Sequence, residues 1–557
     1  MIGTLKHLLN STDILTVIIC ATFFLYLLAL VLSYRLFKSN KKFIKVWRVM
    51  CFAPLVVAII HFVVFISGSA MLQVLPAYIS VYIQGLLCAL LPLLTKKYKI
   101  FKYVALAFII ICLVFSIFPL YAQKTANFTR QSMSEAYVSL CDYLEENYVL
   151  SEWKKVDYEK LKNDGLELIE EAEKTGDKDK YYTALFNLVN SFHDGHAGIS
   201  FYNTENDYVI EKIKSFNDYG LSLMLLDDGS VIAVNVAENL ETKNGDSIIK
   251  WDGIPVSEAI ENVDLPIVEG TIENEKIQKT FYLAGVGDET VKVTYINSNG
   301  EENTEILKKI DSEYPTALKA FGTFTHSRND EYMCKILEDD IGYLRVTEEE
   351  IDVFSDTFSY LTGDHTVARE KFRKDLRKLK NQGMTKLIID IRNNAGGFDE
   401  VSMALTSLFT DEKMYAFSLG VKDGETLKSV DDRYVIADGE FKDLEILVLT
   451  SMSCGSAGDG LVLYLSRLEN VTVAGITNPS GINQETGGSV YMPENVIVSF
   501  PVGLILDENG NPNIDLDETR QSRTPVDVKI PLDRESALKI FNGEDYELNW
   551  AVEYLNR

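Results

Sequence analysis

The residues best suited to chemistry form a run of small side chains directly after an apolar segment. Residues 446–450 are dense in β-forming residues, and residues 451–459 then read S-M-S-C-G-S-A-G-D. A turn at the carboxyl end of a strand is how α/β enzymes expose a nucleophilic oxygen. This segment therefore predicts a nucleophilic serine.

Two further motifs complete a possible catalytic set. Residues 387–397 read L-I-I-D-I-R-N-N-A-G-G, and the two glycines allow backbone N–H groups to approach a reacting oxygen closely. Residues 194–196 read D-G-H, and a neutral imidazole is the natural base for a serine near neutral pH. The three motifs together predict a serine hydrolase.

Charge divides the chain into two parts. Residues 1–123 contain 11 Lys or Arg and one acid, Asp13, so this part carries about +10. The remaining residues contain 43 basic and 80 acidic side chains, or about −37. The acidic part is long enough for two or three domains with their own cores. Its charge argues against nucleic acid as a partner.

The first part predicts a membrane region. Four apolar stretches lie at Ile14–Leu36, Val46–Ser67, Ala70–Leu94 and Phe101–Tyr121, each near the roughly 20 residues needed to span a bilayer. Basic residues lie between the first two stretches and between the last two. The positive-inside rule then places the chain after Tyr121 on the extracytoplasmic side. We expect a multi-pass anchor in the cell membrane rather than a transporter, because the stretches contain few ionisable groups.

The elements that must position the three motifs follow from the hydrophobic pattern. Apolar residues at helical spacing predict helices at Ser134–Tyr148, Tyr158–Thr175 and Lys180–Phe192. Predicted strands separated by Asn-Gly and Asp-Gly turns follow at 220–225, 231–236, 291–296 and 304–307. An alternation of strands and helices then occupies 341–346, 368–382, 386–392, 401–409 and 444–450. This order predicts an α/β core with crossover helices and an inserted β-rich module.

From about residue 133 onward, the chain resembles the C-terminal-processing (tail-specific) peptidases, a serine protease family that includes the tricorn core protease. Five sequence motifs show this resemblance: D-G-H at 194–196, G-D-S-I-I-K-W-D-G-I-P-V at 245–256, L-I-I-D-I-R-N-N-A-G-G at 387–397, S-A-G-D at 456–459 and T-G-G-S-V-Y-M-P at 486–493. Ala395 stands where the family has proline. The second of these motifs resembles the PDZ-type module of those proteases.

The resemblance, together with the four apolar stretches that lie outside it, gives a domain plan and a fold class. We expect a four-helix transmembrane anchor at 1–123, a helical part of the protease with the D-G-H motif at 128–207, a PDZ-like module at 208–309 and an α/β (α+β) serine protease core at 310–557.

The resemblance also implies roles for individual residues. Ser456 would be the nucleophile, and backbone N–H groups of Gly396, Gly397 and Ala457 would form the oxyanion hole. The family's Ser–Lys dyad is missing, because no lysine occurs between Lys442 and Lys529.

The tricorn-like branch uses the histidine of D-G-H instead, which here is His196. Its orienting acid would come from residues 513–525, where Asp515, Asp517 and Glu518 are all possible and Asp517 is our choice. Asp194 and Asp459 are expected to support the site, although Asp459 could equally cap the following helix.

Simpler interpretations exist for each residue. Ser451, Ser453 and Cys454 compete with Ser456 as the nucleophile, and Asp390 and Arg392 could be purely structural. The remaining histidines outside the first part are His193, His326 and His365. His193, Asp194 and His196 could bind a metal, but no further ligands occur at a diagnostic spacing, so we expect neither metal nor organic cofactor.

The sequence thus predicts a membrane-anchored extracytoplasmic serine endopeptidase that acts on protein or peptide substrates, with an oligomeric state that the sequence leaves open. The rival hypothesis is a catalytically inactive surface receptor or scaffold with the protease fold, which binds peptide C-termini. The distance between Ser456 Oγ and His196 discriminates between the two.

Overall fold

A computed structural model describes residues 25–34, 37, 39–66, 75–94, 124–201, 216–326, 331–337, 340–352, 355–356, 359, 363–424, 426–485 and 487–557. Within the first 123 residues, two helices have defined bounds: α1 (Lys41–Ile66) and α2 (Leu75–Leu94). They pack against each other, with Gly85 of α2 beside Pro54 and Ala58 of α1.

The prediction of four transmembrane helices is wrong. Among the residues that the structure describes, no helix combines the length and the apolar character needed to cross a membrane. The prediction placed Lys41, Lys42 and Lys45 in a loop, whereas α1 begins at Lys41 and carries these charges in its first turns. The prediction of a multi-pass membrane localisation with an extracytoplasmic catalytic domain rested on the same four stretches. It is therefore corrected together with the prediction of the helices. The predicted span Phe101–Tyr121 lies outside the described residues, as do 14–24 and 35–36 of the first.

Three helices open the acidic part of the chain. They are α3 (Met133–Asn147), α4 (Tyr158–Thr175) and α5 (Lys178–Asn190), close to the predicted bounds. Ser132 and Glu135 form a reciprocal capping box at the start of α3, and Asp157 caps α4, so polar side chains satisfy the first N–H groups of each helix. The apolar faces of the three helices form one core with a small mixed sheet. The order of that sheet is β1 (Lys124–Asn127), β17 (Gly488–Met492), β18 (Val496–Phe500) and β2 (Gly198–Phe201).

The inserted module is an antiparallel sheet packed on two helices. Its strands are β3 (Ser222–Leu225), β4 (Val231–Val234), β5 (Ser247–Trp251), β6 (Ile254–Pro255), β7 (Thr290–Ile296) and β8 (Glu302–Lys308). The helices are α6 (Val256–Glu261) and α7 (Ile272–Leu283). Helix α8 (Thr316–Phe324) then leads back to the core, and its Phe324 packs on Phe281 of α7. One continuous hydrophobic cluster therefore joins the module to the protease core.

The core contains a six-stranded sheet, parallel except for one edge strand. Its order is β20 (Val528–Lys529), β15 (Val471–Gly475), β14 (Glu445–Leu449), β11 (Lys386–Asp390), β10 (Ile341–Arg345) and β9 (Met333–Ile336). The helices α9 (Thr366–Lys380), α10 (Asp399–Ser407) and α11 (Ala457–Ser466) connect these strands, and α12 (Arg534–Phe541) and α13 (Tyr546–Leu555) end the chain. β11 and β14 are neighbours and parallel, so the two motifs that follow them meet at one edge of the sheet. The prediction of an α/β core is confirmed.

A second antiparallel sheet stands beside that edge. Its order is β13 (Thr426–Val435), β12 (Met414–Asp423), β19 (Gly503–Leu506) and β16 (Gln484–Glu485). The long β12–β13 hairpin was not predicted, because Thr426–Val435 is mostly exposed and lacks a regular apolar alternation. This sheet supplies one wall of the candidate site.

Candidate active site

Ser456 stands at the sharp turn between β14 and α11. Its backbone has φ +56°, a conformation that L-residues rarely adopt and that is typical of strained functional positions. The Ser456 N–H donates to Ile482 O at 2.8 Å, which fixes the turn from outside. The side chain is half-buried and lines a cleft of about 250 Å³.

His196 reaches the same cleft from the loop between α5 and β2. Its Nε2 lies 3.1 Å from Ser456 Oγ, within hydrogen-bond distance. Its backbone N–H donates to Asp194 Oδ1 at 2.9 Å, and Tyr148 Oη donates to Asp194 Oδ2 at 2.6 Å. Asp194 therefore holds the main chain of the histidine loop. The Nδ1 atom of His196 is buried and has no hydrogen-bond partner among the described residues.

The glycine turn after β11 packs directly against the serine. A Cβ placed on Gly396 would overlap the Cβ of Ser456, and the φ of Gly396 is +101°, so both contact and backbone require glycine. The Gly396 N–H already donates to Asn394 Oδ1 at 2.8 Å.

Two backbone donors near the serine remain. The Gly397 N–H makes none of the backbone hydrogen bonds found among the described residues, and Gly397 lines the cleft. Ala457 is the first residue of α11, where N–H groups lack a partner within the helix. Of the three predicted donors, Gly397 and Ala457 thus have N–H groups available to an oxyanion.

The three acids considered for orienting His196 have different surroundings. Asp517 accepts hydrogen bonds from Thr519 N and Oγ1, and none joins it to His196 among the described residues. Glu518 pairs with the exposed Lys155. Asp515 is fully buried, and its Oδ1 accepts from Asn483 N at 3.0 Å.

Asp515 also has an unpaired oxygen. Its Oδ2 is buried and unpartnered among the described residues, and burial raises the pKa of this carboxyl to about 7. The sequence did not distinguish Asp515 from its neighbours, because its burial is set by Asn483 and Trp153, both distant in sequence.

Asp459 anchors the loop beneath the serine. Its Oδ2 accepts from the N–H groups of Gly481 at 2.8 Å and Ile482 at 3.2 Å, and its Oδ1 accepts from Thr524 Oγ1 at 2.8 Å. Burial raises the pKa of Asp459 to about 6, although these donors favour its charged form. Asp459 therefore fixes the segment whose Ile482 carbonyl holds the Ser456 N–H.

Asp399 is a third carboxyl of the cleft, and the motifs did not single it out. It is the first residue of α10, it lines the cleft with Ser456 and His196, and its Oδ1 accepts from Asn483 Nδ2 at 3.2 Å. Desolvation raises its pKa, and His196 opposes this rise electrostatically. The sequence feature that could have identified Asp399 is its position two residues after the Gly396–Gly397 pair.

Phe417, Leu419 and Arg433 of the β12–β13 hairpin form the opposite wall of the cleft.

The competing nucleophiles have other surroundings. Cys454 is fully buried, and burial raises the pKa of its thiol well above the ordinary range, which suppresses the thiolate. Ser451 Oγ donates to Arg392 O. Ser453 is half-buried, and its N–H donates to Ser451 Oγ at 3.1 Å.

Among the described residues, no hydrogen bond joins His193, His326 or His365 to a serine side chain. His326 pairs with Glu547 at 2.6 Å, and burial lowers the pKa of His193 and of His365 to about 4 each. Within the described ranges, no group of three or more His, Cys, Asp or Glu side chains is placed to hold a metal ion.

Asp390 and Arg392 form a buried ionic network away from the serine. Arg392 is 1% exposed, donates to Asp390 Oδ1 at 2.9 Å and Oδ2 at 2.8 Å, and reaches Asp545 Oδ1 at 2.7 Å. The network connects the end of β11 to the start of α13. Asp390 and Arg392 therefore have a structural role.

Comparison with known proteins gives a family match and similar solved structures. The sequence profile of Peptidase family S41 matches residues 340–520, which carry β10, β11, β14 and Ser456. The crystal structure of mature CPAF superposes with a TM-score of 0.51 and 14% identity, over 74% of this chain and 95% of that chain. The photosystem II D1 C-terminal processing protease gives a TM-score of 0.33 at 16% identity, over 75% of this chain and 98% of that chain.

One curated relative, from Chlamydia pneumoniae, is 38% identical over 80 residues. The match spans 14% of this chain and only 11% of the relative's length. The family match supports a serine peptidase. Residues 340–520 match family S41, and the chain shares the fold of mature CPAF.

Proposed function

We propose that the protein hydrolyses peptide bonds of protein or peptide substrates, with Ser456 as the nucleophile and His196 as the general base. The observation that carries this proposal is the 3.1 Å approach of His196 Nε2 to Ser456 Oγ at a turn with φ +56°. A histidine base in place of the family's lysine supports the tricorn-like branch of the resemblance.

The reaction follows from these positions. Ser456 Oγ attacks the carbonyl carbon while His196 takes its proton, and the N–H groups of Gly397 and Ala457 bind the oxyanion that forms. When the intermediate collapses, the C–N bond breaks and His196 returns the proton to the leaving amine. Water then attacks the acyl ester with His196 again as base, which releases the carboxylic acid and restores Ser456.

We infer that Asp515, rather than Asp517, orients His196. Asp515 Oδ2 and His196 Nδ1 are two buried polar atoms without a hydrogen-bond partner among the described residues, and a bond between them would remove the cost of both. In this structure that bond is not made, and catalytic hydrogen bonds often tighten only when substrate binds. The ionised form of Asp515 would stabilise the imidazolium.

The inserted module is proposed to be a PDZ-type domain that acts on the site. Arg520 follows Asp515 by five residues and donates to Gly270 O at 2.8 Å and to Glu275 Oε2 at 2.6 Å, both in the module. A ligand that moves the start of α7 would therefore shift the loop that carries the orienting acid.

Labelling by a fluorophosphonate probe tests the assignment. We expect the wild type to react and Ser456→Ala and His196→Ala to lose the label, because attack on phosphorus needs the activated hydroxyl. Ser453→Ala is the matched control and should keep it. Labelling that persists in Ser456→Ala would move the nucleophile. A wild type that never reacts, even with peptide present, would favour the non-catalytic receptor.

A further inference from the structure

Glu349 lies behind the proposed oxyanion hole, in the segment after β10. Its backbone N–H donates to Gly396 O at 3.0 Å, and its carbonyl accepts from Phe398 N at 3.0 Å. These two bonds enclose Gly397 from one side. A Cβ on Gly397 would come 2.5 Å from Glu349 O, so the two backbones are in close contact. The Gly397 N–H is thereby turned away from Glu349.

The Glu349 side chain continues the same connection through Asn394. Glu349 is 0% exposed, and its Oε1 accepts from Asn394 Nδ2 at 2.7 Å. The other end of that amide, Asn394 Oδ1, accepts the Gly396 N–H at 2.8 Å. The Asn394 carbonyl accepts the N–H of Gly455, which precedes Ser456, at 3.0 Å. Asn394 thus supports both segments that supply the oxyanion donors, the glycine turn through its side chain and the serine loop through its backbone carbonyl.

We propose that Glu349 is a positioning residue that holds the Gly396–Gly397 turn and the Ser456 loop in register through Asn394. This inference rests on the proposed function of Ser456 and the two backbone donors. Glu349 does not touch substrate. It fixes where the Gly397 N–H points, which matters because oxyanion donors act only when pre-aimed at the developing charge.

The protonation of Glu349 belongs to this role. Burial raises the pKa of Glu349 to about 8. The titratable groups that face it are Asp399 at the start of α10, Glu348 beside it and the Cys454 thiol of the serine loop, and all three are neutral or negative. Glu349 is therefore neutral at pH 7. When it ionises, a negative charge appears behind the turn that must bind an oxyanion.

The experiment is a pH series of kcat and KM for hydrolysis of an unstructured protein such as casein. Glu349→Gln keeps the hydrogen bond to Asn394 and cannot ionise, so kcat at pH 7 should stay within about threefold of wild type. The wild-type fall in kcat above pH 8 should be absent from this variant. Glu349→Ala should lose roughly 10- to 100-fold in kcat with KM unchanged, somewhat less than removal of a donor outright. Glu350→Gln, at the exposed acid that follows Glu349, should keep the wild-type profile.

Three results would overturn the proposal. They are a wild-type kcat that does not fall above pH 8, a Glu349→Gln variant that keeps that fall, and a folded Glu349→Ala variant with kcat within twofold of wild type. If Glu349→Ala does not fold, the Glu349→Gln profile decides. Failure of the proposed function looks different, because the wild type would then not hydrolyse casein, or Ser456→Ala would hydrolyse it at the wild-type rate.

Discussion

His196 Nε2 lies 3.1 Å from Ser456 Oγ although 260 residues separate the two in sequence. Different supports hold them: Asp194 binds the backbone of the histidine, and the Ile482 carbonyl binds the backbone of the serine. The two supports lie far apart in sequence and pack together, since a Cβ on Gly195 of the histidine loop would come 2.7 Å from Ile482 Cδ1.

Because Ser456 and His196 act on one proton, their replacements should not add. Ser456→Ala and His196→Ala should each lower kcat by roughly 10⁴- to 10⁶-fold. The kcat of the double variant should be no lower than that of the less active single variant. Steady-state peptide hydrolysis measures this. A double variant whose loss equals the product of the single losses would show that the two side chains act independently.

Asp515→Asn should impair catalysis far more than Asp517→Asn. The amide removes the charge that would stabilise the imidazolium, so we expect kcat to fall by about 10³- to 10⁴-fold. Asp517 contacts Thr519 rather than the histidine, and its variant should keep kcat within about twofold.

The comparison is made at one pH by kcat and KM together, with circular dichroism to verify folding. Equal kcat values for the wild type and Asp515→Asn would remove Asp515 from the mechanism. A selective loss in Asp517→Asn would restore the choice made from sequence.

Gly396→Ala should abolish labelling of Ser456. The new methyl group would overlap the Ser456 Cβ, and a φ of +101° adds backbone strain of about 1–2 kcal/mol. Gly229→Ala is the matched control, because Gly229 has φ +80° and open space around it. It should unfold at a slightly lower temperature and still label. Labelling of Gly396→Ala at the wild-type rate would contradict the packing described here.

The core strands and their turns were predictable because they depend on local pattern. Lys386–Asp390 and Glu445–Leu449 are short, apolar and followed by small residues, so both strands and the meeting of their motifs followed from the sequence. The helix Tyr158–Thr175 was placed with its observed bounds for the same reason.

The remaining parts of the site depend on contacts between distant segments. Asp515 and Asp517 are two residues apart and chemically identical, and only the approach of Asn483 and Trp153 buries the first. Glu349 carries no signal either, because an acid after a strand is ordinarily solvated. In the first 123 residues, the apolar stretches did not predict the helix bounds, since α1 begins at Lys41 and not at Val46. The membrane prediction was wrong, because no described helix is long and apolar enough to cross a membrane.

Asp459→Ala should destabilise the fold. The variant leaves the N–H groups of Gly481 and Ile482 and the Thr524 hydroxyl without their acceptor, and buried donors of this kind cost about 1–3 kcal/mol each. We expect the free energy of unfolding in urea to drop by roughly 3 kcal/mol or more. Thr524→Val removes a single bond and should cost about 1 kcal/mol. Similar losses in both variants would mean that Asp459 does not hold the loop.

Asp515 should make the fold less stable as pH rises through the weakly acidic range. Its folded-state pKa of about 7 lies above the ordinary value of about 3.9, so the folded state binds more protons between these limits. Stability therefore falls as pH rises from about 4 to 7 and carries a constant penalty above 7. Asp515→Asn cannot ionise, so its free energy of unfolding relative to wild type should increase over that window.

Urea unfolding of both proteins at pH 5 and pH 8 tests this, since the other buried carboxyls are common to the pair and cancel in the difference. The expected result is a stability advantage of Asp515→Asn that is larger at pH 8 than at pH 5. A difference independent of pH would mean that Asp515 is ionised throughout, with the nearby Lys154 already compensating its charge. If this result is found, the activity that needs ionised Asp515 does not rise between about pH 4 and 7. If the expected result is found, that activity rises between about pH 4 and 7, where the free energy of unfolding falls. Ionisation of Asp515 thus supports catalysis and lowers the stability of the fold.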